Sequence, residues 1–265
     1  IHERLLERGV QCEFADTLLF ASERVSRNVC KTYVNTTTHA PKVFGCAYHI
    51  ADFISGPNRK SPVYWANGLM AQRMQEYLEA HNYDVVIMPH LFPAEILTFL
   101  KRRAKRVPKT VFIATDYSCI PFTEETDCDR YVIPSDLLKN DFIRRGIPEE
   151  KLLPLGIPVS RDFSRALSQA EAKAFLSLEP ELKYILLSGG SMGAGGMAQT
   201  VKRLSEELKK QPGWGLIVIC GSNNRLYGQL SELYSSSSRI KLVKRTPYMA
   251  WYLKACDVFI TKPGG

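Results

Sequence analysis

The stretch LLSGGSMGAGGM, Leu186 to Met197, sets five glycines and one alanine among twelve residues, directly after the apolar run Tyr184–Leu187. A chain so poor in side chains at a strand's end turns sharply and leaves backbone N–H groups open to a ligand. A helix that follows would add about half a positive charge at the mouth of the turn. The natural occupant is an anion, most simply a phosphate. No Gly-Lys-Ser/Thr closes the stretch, so it is not a P-loop. Its spacing, and the absence of an acidic residue after the next strand, disfavour a dinucleotide fingerprint and with it a nicotinamide oxidoreductase. A plain tight connection in an α/β domain would also use these glycines.

Other segments could carry chemistry. CGSNNRL (with Gly221), KRTPYM and TKPGG each follow an apolar run in the second half. In the first half, Asp116 in ATDY and His90 in MPHLFP stand at the carboxyl ends of apolar runs. Asp116 could cap a turn, and His90 could be a satisfied loop residue. FTEETDCD, residues 122–129, gathers Glu124, Glu125, Asp127 and Asp129. A cation site is conceivable there; a solvated acidic loop is the expectation. KRRAKR, residues 101–106, ends a helix and offsets its dipole. Its functional alternative is contact with anionic lipid headgroups, at about 1 kcal/mol per basic residue. Residues 36–54 mix aromatics with a proline and read mostly as core beneath a loop, with lipid contact as the alternative.

These residues need a frame. Continuous apolar runs predict strands over 84–90, 109–116 and 129–135, alternating with helices over 69–81, 93–106 and 136–145. The alternation restarts with strands 184–188, 215–220, 240–245 and 257–262 and helices 199–210, 224–234 and 248–255. Such a series argues for parallel sheets covered on both faces. The proline-bearing KLLPLGIPV, residues 151–159, divides it into two domains, 1–158 and 159–265. Every segment singled out above for chemistry at a strand's end falls at a carboxyl end, where open α/β sheets bind ligands.

Composition narrows the class. Of 265 residues 45% are hydrophobic and 23% charged, as in a globular protein. The net charge of +8 divides into +1 for residues 1–158 and +7 for 159–265. The second half therefore favours an anionic partner, and no RRM, KH or helix-turn-helix pattern points to nucleic acid. No apolar run is long enough to span a membrane, and no signal peptide is recognised. Seven cysteines without a CxxC pair read as reduced thiols of a cytosolic protein rather than a zinc site. The abrupt first and last residues suggest a fragment incomplete at both ends.

LSGGSMGAGGM and DVFITKPGG, with TVFIATDY, YVIPS and RRGIPEEKLLPLGIPVSRDF in the first half, resemble the monogalactosyl- and glucosyl-diacylglycerol synthases. These are GT-B glycosyltransferases related to the peptidoglycan lipid-intermediate GlcNAc transferase. The resemblance covers nearly the whole chain. It implies two Rossmann-like domains facing each other across a cleft, the first for the lipid acceptor and the second for the donor. It implies an inverting transfer of glucose or galactose from UDP-glucose or UDP-galactose to diacylglycerol, by an enzyme peripheral on the cytoplasmic face of the cell membrane and drawn to its anionic surface. In that pattern Gly189, Gly190, Ser191, Met192, Gly193 and Ala194 lie against the donor diphosphate, and Gly221 belongs to the next loop. Arg245, Thr246 and Met249 stand near the base, and Lys262, Pro263, Gly264 and Gly265 near the sugar. Asp116 is the leading base and His90 the second candidate. No cofactor or metal is expected. The family's ribose-binding glutamate and amino-terminal glycine-rich loop fall outside the sequence. A UDP-sugar epimerase of the same fold and an inactive nucleotide-sugar-binding protein are the alternatives.

Overall fold

The computed structural model describes residues 1–54, 60–191, 193 and 196–262; for residues 37–39, 41, 42, 44, 47, 48 and 52 it describes the backbone alone. The chain divides into two compact units, Ile1–Pro158 and Val159–Gly264.

The first unit opens with helices: α1 (His2–Leu6), α2 (Glu23–His39), α3 (Pro41–Ile54), α4 (Pro62–Gly68) and α5 (Ala71–His81). Then strands and helices alternate: β1 (Val85–Met88), α6 (Leu91–Arg102), β2 (Lys109–Ile113), β3 (Arg130–Val132), α7 (Lys139–Arg144) and β4 (Leu152–Leu153). The strands form one parallel sheet in the order β1-β2-β3-β4. Its register pairs Val85 with Lys109, Val111 with Arg130 and Tyr131 with Leu152. Helix α6 is buried at Leu91 and from Pro93 to Leu100 and forms the centre of the core, where Ile96 and Leu97 are in the same cluster as Met88, Phe112, Tyr131 and Phe142. Each such side chain contributes about 1.5–3 kcal/mol by leaving water.

The second unit carries α8 (Gln169–Phe175), β5 (Lys183–Ser188), α9 (Met197–Leu208), β6 (Trp214–Ile219), α10 (Asn224–Tyr234), β7 (Ile240–Val243), α11 (Met249–Ala255) and β8 (Val258–Thr261). Its sheet is also parallel, in the order β7-β6-β5-β8. Leu186, Leu216, Ile217 and Val218 are fully buried, because helices cover both faces of the central strands. The chain is thus α/β with two parallel Rossmann-like sheets, the fold class expected of GT-B proteins.

Two expectations are corrected. Residues 36–54 are not core beneath a loop. They close α2 and form α3, and Val43, Ile50, Phe53 and Ile54 are exposed, Phe53 to 90%. The mixed composition hid an amphipathic helical period. Nor is 122–129 a solvated acidic loop: Glu124 and Glu125 are buried, Glu125 to 1% exposure. Smaller differences lie at the boundaries. Strand β1 stops at Met88 because His90 caps α6. The segment 151–159 adds the edge strand β4, and 136–145 begins as a 3-10 turn before α7. Helix α8, fixed by a Ser168/Glu171 capping box, goes unseen in the hydrophobic pattern because it is only two turns long.

Candidate functional site

In the second unit the chain leaves β5, builds β6 and β7 on one side, and returns to place β8 on the other. The strand order therefore reverses between β5 and β8, and the loops after these strands diverge there. This is the crevice where open α/β sheets bind ligands. Gly189 and Gly190 follow β5, and Lys262 follows β8. A Cβ built on Gly190, whose φ is +77°, would lie 3.1 Å from the Lys262 side chain. The loop after β5 thus has a cation beside it.

The glycines serve partly another purpose than baring amides. A Cβ on Gly193 would stand 2.3 Å from the Cys220 carbonyl oxygen, and one on Gly221 2.3 Å from that of Ser191. The loops after β5 and β6 interlock backbone to backbone. Ser222 donates to the Ser191 oxygen through its N–H at 2.8 Å and its hydroxyl at 3.1 Å. Asn223 Nδ2 reaches the Gly193 oxygen at 3.4 Å, and its Oδ1 caps α10 through Leu226 N. Gly196, at φ +67°, caps α9, which begins two residues earlier than its hydrophobic period suggests.

All four strands are parallel, so their carboxyl ends share one edge. Arg225 in the first turn of α10, Lys244 and Arg245 after β7, and Lys262 after β8 are exposed along it. Lys244 stands 4.9 Å from the centre of the Tyr227 ring. The Thr246 hydroxyl accepts from Tyr248 N at 3.0 Å and shapes the turn into α11. Met249 packs against the second unit's core. Asn223, Arg225 and Lys244 lie in the segments CGSNNRL and KRTPYM, within six residues of a strand's carboxyl end, but were not named there as site residues. Met192, Ala194, Pro263, Gly264 and Gly265 lie outside the described residues.

In the first unit, His90 and Asp116 face the same cavity. It measures about 480 Å³, lies at the carboxyl ends of β1 and β2, and is walled by Tyr33, Ile120, Thr123 and Phe142. Tyr33 brings α2 to the site, which no motif announced. The His90 Nδ1 accepts a hydrogen bond from Phe92 N at 3.3 Å and caps α6. The protein packed around the ring lowers its pKa, and the charge of Asp116 opposes that shift. Neutral, with Nδ1 taken as acceptor, the ring carries its proton on Nε2 and can donate there.

Beside this cavity the turn Ile120–Thr126 holds an unusual residue. Phe122 sits in the left-handed region, φ 71° and ψ −2°, at a cost of about 1–2 kcal/mol. The turn is tied down by buried carboxylates. Glu125 Oε1 accepts from Ser61 N at 2.6 Å, and Oε2 from Ser61 Oγ at 2.9 Å. Lys60 Nζ donates to the Glu125 carbonyl at 3.0 Å. Glu124 pairs with Arg145 at 3.6 Å. Nearby, fully buried Glu95 accepts from Asn67 Nδ2. Burial pushes Glu95 up to about 8 against that bond, and raises Glu125 against its bonds from Ser61.

Asp127 and Asp129 have the Asp-x-Asp spacing of some divalent-cation motifs, yet their oxygens are engaged. Lys151 donates to Asp127 at 2.7 Å, Lys101 to Asp129 at 3.2 Å, and the Thr110 N–H and hydroxyl to Asp129 at 2.8 Å each. Burial opposes ionisation, but these bonds outweigh it and lower both pKa values. Among the described residues no group of three or more His, Cys, Asp or Glu is placed to hold a metal ion. The basic run 101–106 lies at the opposite edge of this sheet from the cavity. There Lys101 bonds Asp129, and Arg103 stands 3.9 Å from the Phe99 ring centre.

The family model for monogalactosyldiacylglycerol (MGDG) synthase matches residues 3–159. A processive diacylglycerol beta-glucosyltransferase of Bacillus subtilis (strain 168) is 25% identical over 267 residues, covering 100% of this chain and 68% of the relative. The enzyme of that name from Staphylococcus saprophyticus is 23% identical, covering 94% of this chain and 61% of the relative. The solved structure of UDP-GlcNAc 2-epimerase from Neisseria meningitidis bound to UDP-GlcNAc superposes with a TM-score of 0.52 at 14% identity. That match covers 79% of this chain and 62% of the epimerase, and is a likeness of fold. The chain thus spans about two thirds of each.

Proposed function

We propose, on the premise that the chain belongs to the monogalactosyldiacylglycerol synthase family, that it carries the acceptor and donor parts of an inverting glycosyltransferase. The reaction moves glucose or galactose from a UDP-sugar to diacylglycerol. The acceptor hydroxyl attacks the anomeric carbon, the bond from that carbon to the diphosphate oxygen breaks, and UDP leaves with the electron pair. The transition state is oxocarbenium-like. Asp116 takes the hydroxyl proton, since a carboxylate can accept it while neutral His90, its Nδ1 engaged, donates from Nε2 to orient an oxygen. The loop from Gly189 to Gly193 and the start of α9 meet the charge that grows on the diphosphate, with dipoles already oriented. Lys262 lies beside the leaving group, and Arg245 and Thr246 border the base.

The observation that carries this reading is the reversal of strand order between β5 and β8, with the glycine loop on one side and Lys262 on the other. The names of the relatives support the acceptor. Among the described residues no helix is long and apolar enough to cross a membrane. The exposed Val43, Ile50 and Phe53 of α3 suit a protein that rests on the inner face of the cell membrane, where diacylglycerol resides.

The test is transfer by the full-length protein, given UDP-glucose or UDP-galactose and diacylglycerol in anionic vesicles. Hexosyl-diacylglycerol supports the reading, and the preferred donor names the sugar. Conversion of the donor without lipid would replace it with an epimerase. Donor binding without turnover would leave a nucleotide-sugar-binding protein, and absence of UDP affinity would overturn it altogether.

A further inference from the structure

The wall of the acceptor cavity contains a contradiction. Ile120 and Thr123 line it, and Phe122 between them holds a left-handed backbone that a bulky side chain adopts only under constraint. The turn's own bonds run from Thr123 N and Oγ1 to the Ile120 oxygen, from Glu125 N to the Phe122 oxygen, and from Thr126 Oγ1 to the Thr123 oxygen. These close the turn but do not fix it to the unit. Thr126 Oγ1, 2.9 Å from the Tyr131 hydroxyl, and Lys60 Nζ on the Glu125 carbonyl hold its end, and a further anchor is a carboxylate 64 residues from its partner in sequence. Glu125 turns inward and receives both the N–H and the hydroxyl of Ser61, the residue that caps α4 through Tyr64 N. Both residues are buried, at 1% and 5% exposure. Its neighbour Glu124 turns to Arg145, at the end of the helix that supplies the cavity residue Phe142. Removing this carboxylate alone would leave the buried N–H and hydroxyl of Ser61 without their acceptor.

We infer that Glu125 is a positioning residue for the acceptor: by taking both hydrogen bonds of Ser61 it anchors the strained Ile120–Thr126 turn to α4 and sets the cavity wall beside His90 and Asp116. It touches no reacting atom. Its effect reaches the acceptor through Ile120 and Thr123. The donor residues of the proposed reaction belong to the other compact unit. This inference rests on the reading of the cavity as an acceptor site, while the anchoring itself does not.

Two measurements separate those claims. The first compares the full-length protein with Glu125→Ala, Glu125→Gln and Ser61→Ala by hydrogen exchange at residues 120–126. Anchoring predicts that Glu125→Ala speeds exchange there by at least about tenfold while helix α9 exchanges as before, with Glu125→Gln intermediate because its amide oxygen still accepts one bond. Unchanged exchange at the turn overturns the inference whatever the activity. The second measures transfer from a UDP-hexose to diacylglycerol in mixed micelles. The KM for diacylglycerol should rise about tenfold in Glu125→Ala and less in Glu125→Gln, with the KM for the UDP-sugar within about twofold of the parent. Equal rises in both KM values would mean general destabilisation and overturn the positioning role. A parent protein that transfers no sugar would defeat the acceptor reading alone, with the exchange result still deciding the anchor.

Discussion

The two sheets solve different problems at the same kind of edge. In the second unit the strand order reverses, and the ligand edge is made of interlocked backbone with cations around it. In the first unit the described strands run in simple order, and the edge is a cavity of side chains held by buried carboxylates. An anion is met well by fixed amide dipoles, so glycine is worth its conformational cost there. A hydroxyl needs a base and an apolar surround, so side chains must be placed, and placement requires anchors. Disturbing one edge should therefore leave the other working.

The sharpest break in that comparison is Asp116→Asn. The substitution keeps shape and removes the proposed base, so kcat should fall about 10²- to 10⁴-fold. UDP affinity, measured by calorimetry on the same variant, should not change. A retained kcat would take Asp116 out of the chemistry and leave the cavity a binding site.

The interlock can be separated from simple glycine permissiveness by two alanines. Gly193→Ala forces a Cβ to within 2.3 Å of the Cys220 oxygen and adopts a positive φ. It should cost about 1–3 kcal/mol for overpacking and about 1–2 kcal/mol for the left-handed backbone, with UDP affinity falling about tenfold or more. Gly196→Ala shares the positive φ but meets nothing within 4 Å, so it should show the backbone part alone. Thermal unfolding and UDP titration of the pair check this, and equal effects would refute the interlock.

The first unit's raised carboxylates predict a pH response through the neutral range. Glu95, raised by burial from 4.5 to about 8, holds its proton in the folded state over a range where the unfolded chain has lost it. Stability from this group is full below about 4.5, falls as pH rises, and is gone above about 8. Glu125 shifts the same way, and Glu124, Lys60 and Arg102 face the cluster. Asp127 and Asp129 act oppositely, losing their contribution only in acid. Melting temperature followed from pH 5 to 9 should decline by several degrees, and Glu95→Gln should flatten the slope. An unchanged slope would show that Glu95 is not neutral in the fold.

Much of this was legible in the sequence because it depends on neighbours in the chain. Strand, glycine turn and helix are consecutive, so the loop after β5 could be read from LLSGGSMGAGGM. His90 and Asp116 could each be placed at a strand's end, and parallel pairing of β1 with β2 brings them to one cavity. The burial of Glu124 and Glu125 was not legible. Four acids in eight residues normally stay in water, and the partner that draws Glu125 inward, Ser61, is 64 residues away. The same holds for Gly193 and Gly221, whose glycine identity is required by carbonyl oxygens on other loops. Local pattern gives elements and their ends; it does not give what packs across them.

The smallest effect tests the feature on which the proposed donor edge turns. Lys262 is exposed, and its charge lies beside Gly190 at the reversal point. If the diphosphate sits there, Lys262→Ala should weaken UDP binding about two- to fivefold, the range of an exposed ion pair. The loss should shrink further as salt rises, because screening shortens the reach of such a charge. Lys262→Arg should retain most of the affinity. Gly190→Ala makes a useful partner: at φ +77° it bears the same left-handed backbone cost as Gly196→Ala, and its Cβ would press on the flexible end of Lys262 rather than on backbone. A fall in UDP affinity in Gly190→Ala that disappears when Lys262 is also alanine would place both at one ligand. Independent, additive losses would place the diphosphate elsewhere on the edge, nearer Arg225 and Arg245.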